Sequence, residues 1–212
     1  LKLNFRLNFL QKYKPNISLN LMKSKPANNI QDLQFFGEFG GVNPSISDSS
    51  TYTFLSANSM SETFEGNMEG CYLYSRNSSP SNLYLEEACA ALEGTEAANV
   101  FSSGMGAITA TILQLCKSED HIISSRTVYG GTYAFLKNFT PQLKIETTFV
   151  DITSLDDINN SIKPNTKIIY CEVSSNPLLE IADLEEISKI AKKNNIKLVV
   201  DNTFTPLSIS PA

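Results

Sequence analysis

The chain contains a single histidine, His121, in 212 residues. A metal site built on several imidazoles is excluded, and a Ser-His-Asp triad could use only that one ring. The four cysteines, Cys71, Cys89, Cys116 and Cys171, are scattered and form no C-x-x-C pair. That spacing argues against a zinc site or a disulfide frame. It reads instead as reduced thiols of a cytoplasmic protein, packed as small core residues. No apolar run is long enough to cross a membrane as a helix. The net charge of −5 gives no bulk electrostatic attraction for nucleic acid. Positive charge is confined mostly to one end: residues 1–31 carry six Lys/Arg and no acid, which leaves the remainder near −11.

What is present suits a globular fold. A hydrophobic fraction of 42% with 18% charged residues is ordinary for a soluble protein and supplies one sizeable core. Residues 1–21 are rich in Asn, Lys and Leu and precede Met22-Lys23-Ser24, which would make a normal start. They are expected to be non-native sequence, with a basic targeting segment or an ordinary arm as alternatives. Residues 37–78 have weak periodicity and read as an extended arm with a short helix near 56–66. The expected organisation is an N-terminal arm over 1–78, followed by a domain begun at 79 and running to 212.

From residue 80 onward helix and strand alternate. Ser79-Pro80 is a helix entry, because Ser can cap and Pro fits the first turn. Leu83, Leu85, Ala88 and Leu92 continue an apolar face to Gly94. Short strands are predicted at Ala97–Phe101, His121–Ser124, Ile145–Val150, Lys167–Cys171 and Lys197–Asp201. Helices are predicted at Ala107–Leu115, 131–139, 154–161 and 183–194. This order indicates an α/β fold: a mostly parallel sheet with helices on both faces. Ligands of such sheets bind beyond the carboxyl ends of the strands. Four polar loops fall there: Ser102-Ser103-Gly104, Arg126 to Gly131, Ser174–Pro177 and Asp201-Asn202-Thr203.

Six short motifs then occur in one order: Tyr74-Ser75-Arg76, Leu92-Glu93-Gly94, Ser103-Gly104-Met105-Gly106-Ala107, Val128-Tyr129-Gly130-Gly131-Thr132, Asn176-Pro177 and Val200-Asp201-Asn202-Thr203-Phe204. Together they resemble the Cys/Met metabolism family of pyridoxal 5'-phosphate (PLP) enzymes, from about Gly40 to the end of the chain. The resemblance implies the large domain of the PLP-dependent transferase fold, aspartate aminotransferase-like and here incomplete. It implies PLP as cofactor and a small amino acid as substrate. The reaction would be γ-elimination or γ-replacement in trans-sulfuration, at a C–S or C–O bond of a homoserine, homocysteine or methionine-type molecule. It also implies a cytoplasmic homo-oligomer, a dimer of dimers.

The residue chemistry is compatible with that cofactor. Glycines at a helix start let the backbone approach a phosphate, and the free N–H groups favour an anion; the resemblance assigns this to Gly104 and Met105. Such a Gly-x-Gly can also be merely a turn. Arg76 offers a planar fork for phosphate, or a surface salt bridge. The resemblance has Tyr74 and Arg76 reaching the neighbouring subunit's phosphate. Tyr129, otherwise a core or loop tyrosine, would stack on the cofactor ring and handle a proton. Asp201 would pair with the pyridinium nitrogen, unless it only caps a turn. Asn176 would bond the ring hydroxyl, unless Asn-Pro is simply a turn. Glu172 and Thr203 also match family positions, with structural support as the alternative. His121 is expected to begin a strand and do no chemistry.

Three departures stand out. Asn77-Ser78-Ser79-Pro80-Ser81 replaces the family's usual Ser-Gly-Asn-Pro-Thr. Gly131 occupies the place where methionine γ-lyases commonly carry cysteine, as it does in the cystathionine enzymes. No Ser-x-Thr-Lys stretch, which in the family provides the lysine that carries the cofactor, occurs in the chain. The C-terminal domain with its substrate-carboxylate arginine is likewise expected to be absent. The chain by itself is therefore expected to be inactive, and a non-catalytic product or binding subunit is the alternative. A nucleotide-binding module is disfavoured, since the Gly-x-Gly stretch lacks the third glycine of the dinucleotide fingerprint.

Overall fold

The computed structural model describes residues 40–54, 56–66 and 71–205. The reading of residues 1–21 lies outside them. The chain divides into two compact units, Leu1–Val100 and Phe101–Ala212.

In the first unit, helix α1 spans Ala57–Phe64 and helix α2 spans Pro80–Glu93. Both start on a serine. Ser56 accepts the Ser59 N–H at 3.2 Å, and Ser79 accepts the Asn82 N–H at 3.2 Å. Pro80 sits in the first turn of α2, and Gly94 ends it in the left-handed region at φ 65°, where a side chain would be strained. Among the described residues before α2, an antiparallel bridge joins Thr51 and Tyr74. The strand predicted at Ala97–Phe101 does not form. That stretch is only partly buried, and the Val100 N–H is taken by the Glu86 carboxylate at 3.3 Å instead of by a neighbouring strand.

The second unit is a parallel sheet with helices on both faces. Its elements run α3 (Gly104–Leu115), β1 (His121–Ser125), α4 (Gly130–Ala134), β2 (Glu146–Val150), α5 (Leu155–Asn160), β3 (Thr166–Glu172), α6 (Leu184–Lys193) and β4 (Lys197–Asp201). The strand order is β2-β1-β3-β4, and every pairing is parallel. The helix predicted over 131–139 is not a uniform α-helix. Beyond Ala134 it widens into a π turn over Phe135–Phe139 and then tightens into a 3₁₀ turn over Thr140–Leu143. Pro141 lies in that last turn, where its ring and missing N–H prevent continuation of an α-helix.

Alternation along β1 and β3 sends neighbouring residues to opposite faces. Ile122, Ile168 and Tyr170 pack with Ile112 of α3 and Leu136 beyond α4. Ile123, Ile169 and Cys171 pack with Ile158 of α5 and Ile187 and Ala191 of α6. The four β1 and β3 isoleucines are fully buried, each stabilising the fold by about 1.5–3 kcal/mol. Strands covered on both faces read as continuous apolar runs, which is why they were visible in the sequence. Helix α6 carries acids in its first turn and lysines in its last, matching the helix dipole, and Asp183 caps it.

His121 begins β1 and is fully buried. Its Nδ1 bonds Thr166 Oγ1 and its Nε2 bonds Thr148 Oγ1, both at 2.8 Å, so the ring ties three strands together. Cys116 and Cys171 are buried core residues, whereas Cys71 and Cys89 are half-buried, and all four are free thiols. Burial pushes Cys116 up to about 11 and Cys171 up to about 12, so neither is a reactive thiolate. Among the described residues no helix is long and apolar enough to cross a membrane.

Candidate functional site

The carboxyl ends of β1, β3 and β4 and the amino end of α3 surround one cavity of about 360 Å³ within the second unit. That volume is in the range of small-molecule sites, roughly 300–1,000 Å³. Six residues singled out in the sequence line it: Gly104, Met105, Tyr129, Asn176, Asp201 and Thr203. Glu172 lines it as well.

The floor at one side is the start of α3. Ser103 caps this helix, its Oγ accepting the Gly106 N–H at 3.0 Å, and its carbonyl accepts the Ala107 N–H at 3.1 Å. Helical geometry leaves the Gly104 and Met105 N–H groups without an intrahelical acceptor. A Cβ placed on Gly104 would meet nothing within 4 Å, so this end opens into the cavity. Donors and dipole together suit an anion.

Asp201 ends β4 and also lines the cavity. Its Oδ1 accepts both the N–H and the hydroxyl of Thr203, so the turn-capping role foreseen as an alternative is realised. Its Oδ2 accepts the Tyr170 hydroxyl at 3.3 Å. Burial pushes the Tyr170 phenol well above its ordinary range, so it remains a donor. These bonds orient the carboxylate and leave lone pairs for a further cationic donor in the cavity.

Tyr129 follows β1 in a loop and is 55% exposed, so it is not a core tyrosine. Its N–H donates to Glu172 Oε1 at 2.6 Å. Gly131 lies against its ring: a Cβ there would come within 2.6 Å of Tyr129 Cε1 and 3.2 Å of Met105 Sδ. Asn176 is in a turn held by the Ser174–Ile181 bridge and by the Ser175–Glu180 backbone bond, and the Asn176–Pro177 peptide is cis. Glu172, the last residue of β3, is buried, and its ordinary pKa is raised by burial and by the nearby Asp201 charge. The hydrogen bond from the Tyr129 amide opposes that rise.

Tyr74 and Arg76 lie in the first unit. Arg76 stacks over the Tyr74 ring at 4.8 Å, a cation–π contact. Ser103, Ile108, Ser174 and Phe204 also line the cavity without having been named as site residues. Ser103 was detectable as a cap before a glycine-rich turn. Ile108 looks like any apolar helical residue, and its exposure to the cavity depends on the packing of α3.

The donor set fits a pyridoxal phosphate group: helix-end amides for a phosphate, a carboxylate for a protonated ring nitrogen, and an exposed tyrosine in the same lining. Comparison with known proteins agrees. Residues 28–212 match the family model of the Cys/Met metabolism PLP-dependent enzymes, a longer match than the resemblance read from Gly40. A methionine gamma-lyase of Arabidopsis thaliana is 42% identical over 201 residues, covering 92% of this chain and 46% of that protein. A cystathionine gamma-lyase of Bacillus subtilis is 47% identical over 141 residues, covering 66% of this chain and 37% of that protein. The crystal structure of a Lactobacillus plantarum cystathionine gamma-lyase complexed with L-serine superposes with a TM-score of 0.76 at 30% identity, covering 87% of this chain and 46% of that one. A Campylobacter jejuni protein assigned as an O-acetylhomoserine (thiol)-lyase, with a pyridoxyl-lysine phosphate in its structure, gives a TM-score of 0.79 at 31% identity, over 85% of this chain and 44% of that one. The chain thus spans about half the length of the curated relatives it matches. Matched over most of its residues by the family model, by relatives and by solved structures, it belongs to the Cys/Met metabolism family of PLP-dependent enzymes.

Proposed function

We propose that the second unit forms one part of the cofactor site of an enzyme of sulfur amino acid metabolism, and that the complete protein carries out γ-elimination or γ-replacement on a homoserine, homocysteine or methionine-type substrate. The observation that supports this most is the convergence of Gly104, Met105, Tyr129, Asn176, Asp201 and Thr203 on one cavity. When bound, PLP supplies a ring that accepts the electron pair left by removal of the substrate α-proton.

The chain's own residues would then act as follows. The Gly104 and Met105 amides hold the phosphate. Asp201, oriented by Thr203 and Tyr170, keeps the ring nitrogen protonated. Asn176 bonds the ring hydroxyl oxygen. Tyr129 would pack against the cofactor ring and move a proton at the substrate. Tyr74 and Arg76 reach the phosphate of a neighbouring subunit in a dimer of dimers. The setting is cytoplasmic.

The 212-residue chain, with no Ser-x-Thr-Lys stretch, is inferred not to turn over substrate by itself. Relatives named as methionine, cystathionine gamma- and cystathionine beta-lyases favour elimination over transfer, and Gly131 favours a cystathionine-type substrate over methionine. Incubation of the chain with PLP and borohydride tests its inactivity. The expected result is no dominant adduct; a single adduct at one specific lysine would overturn it. A longer version carrying the lysine, offered cystathionine and methionine separately, should release product faster from cystathionine. Faster release from methionine would reverse the substrate assignment.

A further inference from the structure

We infer that Glu172 is a positioning residue, a latch that holds the Tyr129 loop at the cavity by accepting its backbone N–H; its consequence for the cofactor rests on the site proposed above. Glu172 ends β3, the strand between β1 and β4. Its Oε1 accepts the Tyr129 N–H at 2.6 Å across 43 positions of sequence. The side chain that ends β3 thus holds the loop that follows β1. A second tie joins that loop to the one after β3, where Thr127 Oγ1 donates to Glu180 Oε2 at 2.6 Å. Glu172 is the one of the two ties that lines the cavity.

A carboxylate suits this place because it is acceptor-only, and its charge strengthens the bond to a backbone N–H. The charge is held at a cost: the residue is 7% exposed and stands beside Asp201 of β4. The other titratable groups acting with it, Tyr170 and Cys171 of its own strand, are neutral in their buried setting and offer no compensating cation. The Tyr129 amide is therefore its compensation, and the loop is ordered by supplying it. Protonation of Glu172 turns one acceptor oxygen into a donor and loosens the latch.

The whole 212-residue chain provides the test, by amide NMR and hydrogen exchange without ligand, in wild type, Glu172→Gln and Glu172→Ala. In wild type the Tyr129 amide shift should follow a titration of the carboxylate it donates to. Glu172→Ala should speed exchange at the Tyr129 amide about tenfold or more, the loss expected for a charge-assisted bond. Glu172→Gln should restore most of the protection and abolish the titration. Unchanged exchange at the Tyr129 amide in Glu172→Ala, or a titration that survives in Glu172→Gln, would overturn the latch. If Glu172→Ala does not fold, the titration in Glu172→Gln decides alone. With PLP as probe, Glu172→Ala should weaken binding about tenfold and Glu172→Gln should recover most of it. Absence of PLP binding by wild type counts against the cofactor reading, while the ligand-free amide data still judge the latch.

Discussion

Glu172 and Asp201 stand opposite each other at the last paired position of β3 and β4, two carboxylates side by side at the carboxyl edge of a parallel sheet. Their partners differ. Glu172 takes the backbone amide of Tyr129, whereas Asp201 takes Thr203 and the buried Tyr170 hydroxyl. One acid faces the loops that frame the cavity, and the other keeps lone pairs for what enters it. The following predictions rest on that division.

Asp201→Asn keeps an acceptor oxygen for Thr203 and removes the charge. The variant should fold with a Tm close to that of wild type. Its affinity for PLP at neutral pH, measured by equilibrium dialysis, should fall about tenfold or more, as expected for loss of a charge-assisted bond. In a version of the protein that turns over substrate, Asp201→Ala should abolish turnover. Near-normal activity would contradict the role given to Asp201.

Gly131→Ala places a methyl group where the Tyr129 ring now lies. The backbone there is helical and tolerates alanine, and the ring is exposed and free to turn away. Stability should therefore change little, by about 1 kcal/mol or less in either direction. The Tyr129 ring resonances should shift clearly and PLP binding should weaken. Unshifted ring resonances would show that Gly131 does not set the position of Tyr129.

Ser103→Ala removes the cap at the start of α3. Chemical denaturation should show a loss of about 0.5–2 kcal/mol. Exchange at the Gly106 amide, which donates to Ser103 Oγ, should rise more than exchange at Ile112 in the same helix.

His121 gives stability a pH dependence. Burial, and to a lesser degree the Lys163 charge, hold its imidazole below the ordinary value of 6.5. The unfolded chain therefore binds the proton more readily than the folded one, and stability falls as pH drops below about 6.5 until it passes the lowered folded value. Denaturation midpoints measured from pH 7.5 downward should show this slope before the lowered carboxylates Glu146 and Asp151 begin to contribute. Replacing His121 with glutamine should flatten it. A slope of equal size in that variant would assign the effect elsewhere.

Much of the architecture was legible because it was written in local signals. Ser79, Pro80 and Gly94 marked both ends of α2, and the apolar run Ile168–Cys171 marked a strand buried on both faces. The cavity was legible because its residues follow strand ends, where parallel sheets place their ligands. Ala97–Phe101 misled because a short apolar run carries no information about a partner strand, and here Glu86 takes the Val100 amide. The π turn after Ala134 left no distinct periodicity. Glu172 stood out in the sequence as a match to a family position, but its partner did not. Its bond to Tyr129 spans 43 positions and arises only when β1 and β3 pair.

The central claim is that the cavity between α3 and β4 receives the cofactor. Pyridoxamine phosphate tests it most directly, because it has the same ring and phosphate but no aldehyde to react with surface lysines. Titrated into the isotopically labelled chain, it should shift the amides of Gly104, Met105, Tyr129, Asn176 and Thr203 along one saturation curve. Shifts that leave these residues unmoved, or that gather on the lysine-rich residues before Asp32, would contradict the account.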